Sequence, residues 1–162
     1  METVCPGCGL RMPQRESLPT DAHYYNASAE CWSVYTEVLA AEYSNAVLFG
    51  QVHQLTVDTY AVQHAGGPHP DKSVGIHLAG LYLTLVQGVK PTSVPPLLQQ
   101  MARRRETWPH FELPDGNTAV TTVFDIAMAG SSQEHIERVR AWSAAVWEAW
   151  APHHVAVAEL VG

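Results

Sequence analysis

Apolar side chains recur every three or four positions in two stretches of the chain, which is the spacing of an amphipathic helix. In AECWSVYTEVLAAEY the repeat consists of Val34, Val38 and Ala41, and Ser28 or Asn26 stands before it as an N-cap. This pattern predicts a helix over roughly residues 29 to 44. The second stretch begins with a capping-box pattern, SSQE, and has one apolar side formed by Ile136, Val139, Trp142, Val146 and Trp150.

Two further helices are predicted from the positions where glycine and proline stop regular structure. The run AVLFGQVHQLTVDTYAVQH contains no proline and is followed by AGGP, which predicts a helix over about 46 to 64. The next run, VGIHLAGLYLTLVQ, predicts a third helix that begins at Asp71 or Ser73 and ends near Gly88. Because the connections are short, these three helices should be antiparallel neighbours.

The remaining segments are less regular. Residues 1–27 have no helical period and contain prolines and glycines that interrupt regular structure, so we expect an irregular arm. Residues 89–130 form an irregular connection, in which LLQQMARRR is a short helix candidate and TAVTTVFDI is either extended or the start of another helix. We predict an all-α helical bundle in one domain, residues 1–162, with a three-helix core at 28–88 and C-terminal helices at 131–162.

Composition excludes some classes of partner. The formal net charge is -7, and the only dense basic run is RRR at 103–105, which is too small to neutralise a phosphate backbone. Nucleic acid is therefore not expected. No apolar run reaches the ~20 residues of a membrane span, and the N-terminus lacks the features of a signal peptide. We expect a cytoplasmic protein whose partner is a small molecule or another protein, and the oligomeric state stays open.

The cysteines indicate metal binding. Only three occur, two of them in the CPGCG turn at positions 5–9, beside nine histidines. A Cys-x-x-Cys turn presents two sulfurs from one tight loop, which is half of a tetrahedral zinc site. A redox pair and incidental free thiols are the alternatives, but redox motifs lie between a strand and a helix, and neither is predicted here. We interpret residues 1–27 as a metal-binding arm in which Cys5 and Cys8 are ligands.

The other two ligands are expected from helix ends. Cys31 lies in the first turn of the first helix, where the positive end of the helix dipole favours a thiolate. His64, at the end of the second helix, is the choice for the fourth ligand, and His77 is its rival. Mixed sulfur and imidazole ligands favour Zn²⁺. His53 lies about 16 Å from His64 along the helix and cannot share its ion.

Folding about the predicted turns places Tyr60 and His77 at the same end of the bundle as Cys31 and His64. Tyr60, His77 and Asp58 are therefore candidates for acid–base roles, or Asp58 for orienting a ligand. His153 and His154 follow Pro152, which starts a short final helix, and their roles stay open.

The motifs CPGCG, YNASAECW and HQLTVDTYAVQH together resemble a family of small bacterial proteins known only as a domain of unknown function. Its members begin with a Cys-Pro-x-Cys-Gly turn, continue with a Cys-Trp pair that opens a helix, and carry a histidine-bearing helix followed by Ser-Val-x-x-His. The resemblance covers most of the chain and marks Cys5, Cys8, Cys31, Trp32, His53, Asp58, Tyr60, His64 and His77. It implies no established activity.

Three functions are consistent with these residues. In the first, the metal is structural and the protein is a zinc-binding helical module, because four protein ligands leave no open position. In the second, the protein is a small metal-dependent enzyme with a water on the ion and His77, Tyr60 or Asp58 as proton donor or acceptor. In the third and weaker one, the thiols sense redox state or metal. The number of protein ligands discriminates among them.

Overall fold

The computed structural model describes residues 1–16, 18, 24–115 and 121–162, and most of them are helical. A two-stranded antiparallel sheet, β1 (Glu2–Val4) and β2 (Arg11–Pro13), opens the chain. Within the described residues seven α-helices follow: α1 (Ala29–Tyr43), α2 (Ala46–Gln63), α3 (Asp71–Leu85), α4 (Val94–Arg104), α5 (Val123–Ala127), α6 (Ser132–Ala149) and α7 (His154–Val161). The predicted all-α bundle is confirmed.

The first helices begin where the sequence provides caps. The Ser28 side chain accepts a hydrogen bond from the backbone of Cys31, and the Asn45 side chain accepts bonds from the amides of Val47 and Leu48. The C-cap of α1, Ser44, is followed directly by the N-cap of α2, Asn45, so the chain reverses sharply. The short turn makes α1 and α2 neighbours, as the sequence predicted.

Helix α2 is the centre of the bundle. It packs against α1, α3 and α6, and eleven of its residues are buried. Such a helix is buried on several faces, with polar residues such as Asp58 and Gln63 among the buried ones, which explains why its sequence lacks a clean amphipathic repeat and why its ends had to be predicted from breakers. At its C-terminal end, Gln63 accepts a hydrogen bond from the Trp142 indole at 3.1 Å, which joins α2 to α6 in the core.

The N-terminal arm contains more regular structure than expected. The register pairs Glu2 with Pro13, Thr3 with Met12 and Val4 with Arg11, so that the CPGCG turn forms the end of a β-hairpin. Three-residue strands are too short for a period-two pattern to stand out in the sequence. The hairpin holds both cysteines of the turn inside the protein.

The connection 89–130 also has helical parts. Helix α4 begins at Val94, three residues before the LLQQMARRR candidate, because two prolines fit the first turn of a helix. In TAVTTVFDI, residues 118–120 lie outside the described part of the chain, and α5 begins at Val123. Across the described residues, no helix is long and apolar enough to cross a membrane.

Candidate metal centre

The hairpin presents Cys5 and Cys8 on one side of its turn. The Cys5 backbone amide donates to the Leu10 carbonyl at 2.8 Å, and the Gly9 amide donates to the Cys5 carbonyl at 2.9 Å. Gly9 has φ 78°, a left-handed conformation that favours glycine and lets the chain turn back into β2. Both cysteine residues are only 2% exposed, so the turn buries its sulfurs.

Cys31 comes from the start of α1. It is fully buried, and its backbone amide donates to the Ser28 hydroxyl at 3.1 Å. This capping bond fixes the first turn of the helix and with it the direction of the cysteine side chain. The Sγ atoms of Cys8 and Cys31 lie 3.8 Å apart.

His64 lies at the C-terminal end of the neighbouring helix α2, as its C-cap residue. Its Nδ1 lies 2.7 Å from the backbone carbonyl oxygen of Tyr60. A carbonyl oxygen only accepts hydrogen bonds, so Nδ1 carries the proton and Nε2 keeps its lone pair. That Nε2 atom lies 3.4 Å from the Cys31 sulfur. His64 is thus held in the tautomer that binds a metal through Nε2.

The structure brings the four predicted ligand residues together. One donor atom from each of Cys5, Cys8, Cys31 and His64 lies within 4.8 Å of the others, and all four residues are buried. A tetrahedral Zn²⁺ with ordinary bond lengths places its sulfurs about 3.8 Å apart and a sulfur about 3.6 Å from a nitrogen. The observed separations of 3.8 Å and 3.4 Å match this arrangement. The donor set therefore fits a metal ion.

Hydrogen bonds among the three cysteines separate their pKa values. Hydrogen bonds from Cys31 and Cys8 lower the pKa of Cys5, whereas hydrogen bonds with Cys5 and Cys8 raise the pKa of Cys31. For Cys8, the hydrogen bond with Cys31 acts downward, but the bond with Cys5 and burial together raise the pKa to about 12. These hydrogen bonds favour the thiolate at Cys5 and the protonated thiol at Cys8 and Cys31. Two further thiolates in this buried volume require positive charge beside them.

Neighbouring groups hold the cluster in place. The Tyr60 hydroxyl donates to the Cys31 sulfur at 3.4 Å, and its ring stacks on His64 at 3.9 Å between centroids. The backbone amide of Asn26 donates to the His64 carbonyl at 3.1 Å. Gly7 packs directly against His64, since a Cβ at position 7 would be 2.7 Å from His64 Cδ2. These contacts join the hairpin, the segment before α1 and the end of α2.

The three residues proposed for acid–base roles lie in two places. Tyr60 is fully buried and touches the Cys31 sulfur. His77 lies outside the four-residue group, and its Nδ1 is 2.7 Å from Asp58 Oδ1. The Gln54 side chain donates to the same oxygen at 3.0 Å. Burial raises the pKa of Asp58, while the hydrogen bond from His77 acts in the opposite direction.

The other histidines weighed from the sequence are also outside the cluster. His53 lies 2.9 Å from a carboxylate oxygen of Glu42, His153 donates to the Glu112 carbonyl at 2.7 Å, and His154 donates to the Trp147 carbonyl at 2.8 Å. The sequence left the roles of these histidines open. In the structure each forms a hydrogen bond with a group outside the metal cluster.

A buried polar cluster around Glu42 was missed. The fully buried carboxylate of Glu42 receives hydrogen bonds from His53, from the Thr56 hydroxyl at 2.6 Å and from His135 at 2.8 Å. These contacts join α1, α2 and α6. One signal was present in the sequence, because Glu42 follows Val38 by four residues and therefore continues the apolar face of the first helix.

The sequence profile of a family of unknown function (DUF5946) matches residues 3–151. The chain belongs to this family. The match begins before the CPGCG turn and includes every residue of the metal cluster, as the resemblance seen in the sequence implied. DUF5946 carries no described activity, so membership leaves the function to be inferred from the site. Comparisons with curated proteins and with solved structures gave no match.

Proposed function

We propose that Cys5, Cys8, Cys31 and His64 bind one Zn²⁺ and that this ion has a structural role, with the protein serving as a zinc-stabilised helical binding module. The observation that carries the proposal is the spacing of the donors, which matches a tetrahedral ion in a buried pocket of three sulfurs and one imidazole nitrogen. Soft thiolate ligands with imidazole are the set that Zn²⁺ prefers.

The structural role follows from how the ligands are distributed along the chain. They come from the hairpin turn, the start of α1 and the end of α2, so one ion closes two long segments of chain at once. Four protein donors complete a tetrahedron and leave no position for water or substrate. Metal binding of this kind is coupled to folding, because the unfolded chain lacks the site.

Substitution of Cys8 tests the proposal. We expect Cys8→Ser to lose bound zinc and to unfold at a lower temperature, with both changes measured on the same preparation by elemental analysis and by circular dichroism. His153→Asn is the matched control, since His153 lies outside the cluster and should keep one zinc per chain. If Cys8→Ser retains the zinc stoichiometry of the unsubstituted protein, the ligand assignment fails. If it loses zinc but keeps its stability, the structural role fails.

The thiol-sensor alternative has a distinct outcome in the same preparation. The three cysteines are free thiols, and the Cys8 and Cys31 sulfurs lie 3.8 Å apart, which is too long for a disulfide. Mass spectrometry of the protein purified in air distinguishes the two: a zinc-free protein two hydrogens lighter supports the sensor, and a zinc-bound protein with three thiols supports the structural site.

A second candidate function, catalysis, is favoured by the Asp58–His77 pair. The buried Asp58 carboxylate accepts from His77 Nδ1, and Asp58 Oδ2 is buried with no hydrogen-bond partner in the described residues. This orients the imidazole with its Nε2 lone pair free, and the His77 side chain is 16% exposed. Such a pair can accept a proton from a substrate. Because the zinc position would be closed, this chemistry would not use a metal-bound water.

Chemical labelling tests whether His77 is presented to small molecules. We expect diethyl pyrocarbonate to modify His77 in the folded protein, with the modified peptide identified by mass spectrometry. His110, whose side chain is 62% exposed, is the positive control, and the buried His69 is the negative control. If His77 reacts no faster than His69, its Nε2 is closed to substrates and the catalytic candidate is rejected.

A further inference from the structure

A cavity unrelated to the metal cluster lies between α3, α4 and α7. Its volume is about 440 Å³, which is within the range of ~300–1,000 Å³ typical of small-molecule sites. More than half of its lining residues are apolar: Leu83, Leu97, Met101, Leu160 and Val161. An apolar lining of this size selects for a ligand with a hydrocarbon part.

Two arginines, Arg104 and Arg105, line the same cavity, and no aspartate or glutamate does. This is the reverse of the whole chain, which has 16 acidic and 9 basic residues and a net charge of -7. The charged side chains that line the cavity are therefore opposite in sign to the net charge of the protein, and they favour an anion.

The two guanidinium groups have unused donors. Within the described residues neither forms an ion pair, and the Nε atom of Arg105 is buried with no hydrogen-bond partner. The Arg105 guanidinium lies 5.6 Å from the ring centroid of Trp108, which restricts its position. A planar guanidinium offers two parallel N–H groups to a carboxylate, so these donors suit a planar anion.

The C-terminal ends of three helices oppose an anion in this cavity. Helices α3, α4 and α7 end at Leu85, Arg104 and Val161, all beside the cavity, and the C-terminal end of each helix carries roughly half a negative charge. The two guanidinium groups together carry two positive charges, against roughly 1.5 negative charges from the three helix ends. Because the surplus of positive charge is small, the anion depends on direct contacts with the two guanidinium groups.

We propose that this cavity binds a small amphiphilic anion, a medium-chain carboxylate, with its alkyl chain against the apolar lining and its carboxylate at Arg104 and Arg105. The site lies apart from the zinc ligands and does not depend on the proposed role of the metal. The occupant follows from the two halves of the lining: five apolar side chains for the tail and a cationic pair for the head.

Isothermal titration calorimetry with decanoate and the zinc-loaded full chain tests the site. Each methylene that enters an apolar cavity strengthens binding about 4-fold, so decanoate should bind at least several-fold more tightly than octanoate. Uncharged decanol should bind about 10-fold more weakly than decanoate, because it lacks the bidentate contact. Inorganic phosphate alone should bind far more weakly than decanoate, since it has no tail.

Adjacent arginines provide a matched pair of variants. Arg104 lines the cavity and Arg103 does not, although both are exposed and both lie in the last turn of α4. We expect Arg104→Gln to weaken decanoate binding about 10-fold, which is the loss of one charge-assisted contact, and Arg103→Gln to change it less than about 2-fold. Circular dichroism should show both variants folded.

Several results would overturn the proposal. Absence of decanoate binding up to about 1 mM would remove the site, because that affinity is the weakest a specific ligand of this size should have. Equal weakening by Arg103→Gln and Arg104→Gln would mean that the anion responds to surface charge rather than to the cavity. Equal binding of decanol and decanoate would show that the arginines do not select the head group.

Discussion

Substitution of Gly7 by alanine gives a quantitative test of how the hairpin is seated on the bundle. An alanine Cβ at this position would lie 2.4 Å from the Asn26 carbonyl oxygen, 2.7 Å from His64 Cδ2 and 3.0 Å from His64 Cα. Two of these three atoms belong to the backbone and cannot rotate away. The turn that carries Cys5 and Cys8 must therefore shift away from His64.

The size of the effect follows from the steric conflict. Gly7 is not among the glycines with positive φ, so the cost of the substitution is the clash alone. Added methyl groups in close-packed positions cost about 1–3 kcal/mol. If this cost is borne by the metal-bound state, zinc affinity falls about 5- to 150-fold, since each 1.4 kcal/mol corresponds to a factor of ten.

Chelator competition measures the zinc affinity of Gly7→Ala, and urea denaturation measures its free energy of unfolding. Gly50→Ala is the control, because no atom lies within 4 Å of a Cβ at that position in α2. Alanine replaces glycine inside a helix there, so the control should gain up to about 1 kcal/mol and keep its zinc affinity. If Gly7→Ala binds zinc as tightly as the unsubstituted protein, the close contact between the turn and His64 does not position the hairpin for zinc binding.

Three further predictions concern the groups around the site and the buried polar clusters. Tyr60→Phe removes the hydroxyl that donates to the Cys31 sulfur and should weaken zinc binding about 10-fold in chelator competition. Unchanged affinity would show that this hydrogen bond does not contribute to zinc binding. Glu42→Ala leaves His53 and His135 without their buried acceptor and should cost about 3–5 kcal/mol in urea denaturation, and a loss below about 1 kcal/mol would refute the cluster's structural role. Burial raises the pKa of Asp58, so between the ordinary aspartate value and this higher value the folded state binds a proton that the unfolded state lacks. The stability of the unsubstituted protein relative to Asp58→Asn should therefore fall as pH rises through that interval, measured with both proteins saturated with zinc, and a constant difference would contradict the shift.

The sequence was sufficient to predict the helices that have local signals. Ser28 and the SSQE pattern are caps, and the structure starts α1 and α6 directly after them. The grouping of Cys5, Cys8, Cys31 and His64 was also predictable, because a tight turn, a helix start and a helix end meet when adjacent helices are antiparallel. These inferences need only local chemistry and short connections.

Other features depend on contacts that are distant in sequence. His64 joins the three cysteines, whereas His77 lies outside that group, 2.7 Å from the Asp58 carboxylate where α2 meets α3. His135 is 93 residues from Glu42, and nothing in the sequence pairs them. The cavity beside Arg104 forms only where α3, α4 and α7 meet, so a periodicity argument on α4 alone could not reveal it.

X-ray absorption at the zinc edge of the purified full chain tests the central claim most directly. We predict one zinc per chain, with three sulfur neighbours at about 2.3 Å and one nitrogen neighbour at about 2.0 Å. A protein that is pure and folded yet holds no zinc, or a spectrum dominated by oxygen and nitrogen neighbours, would contradict the claim that three thiolates and His64 enclose a metal ion.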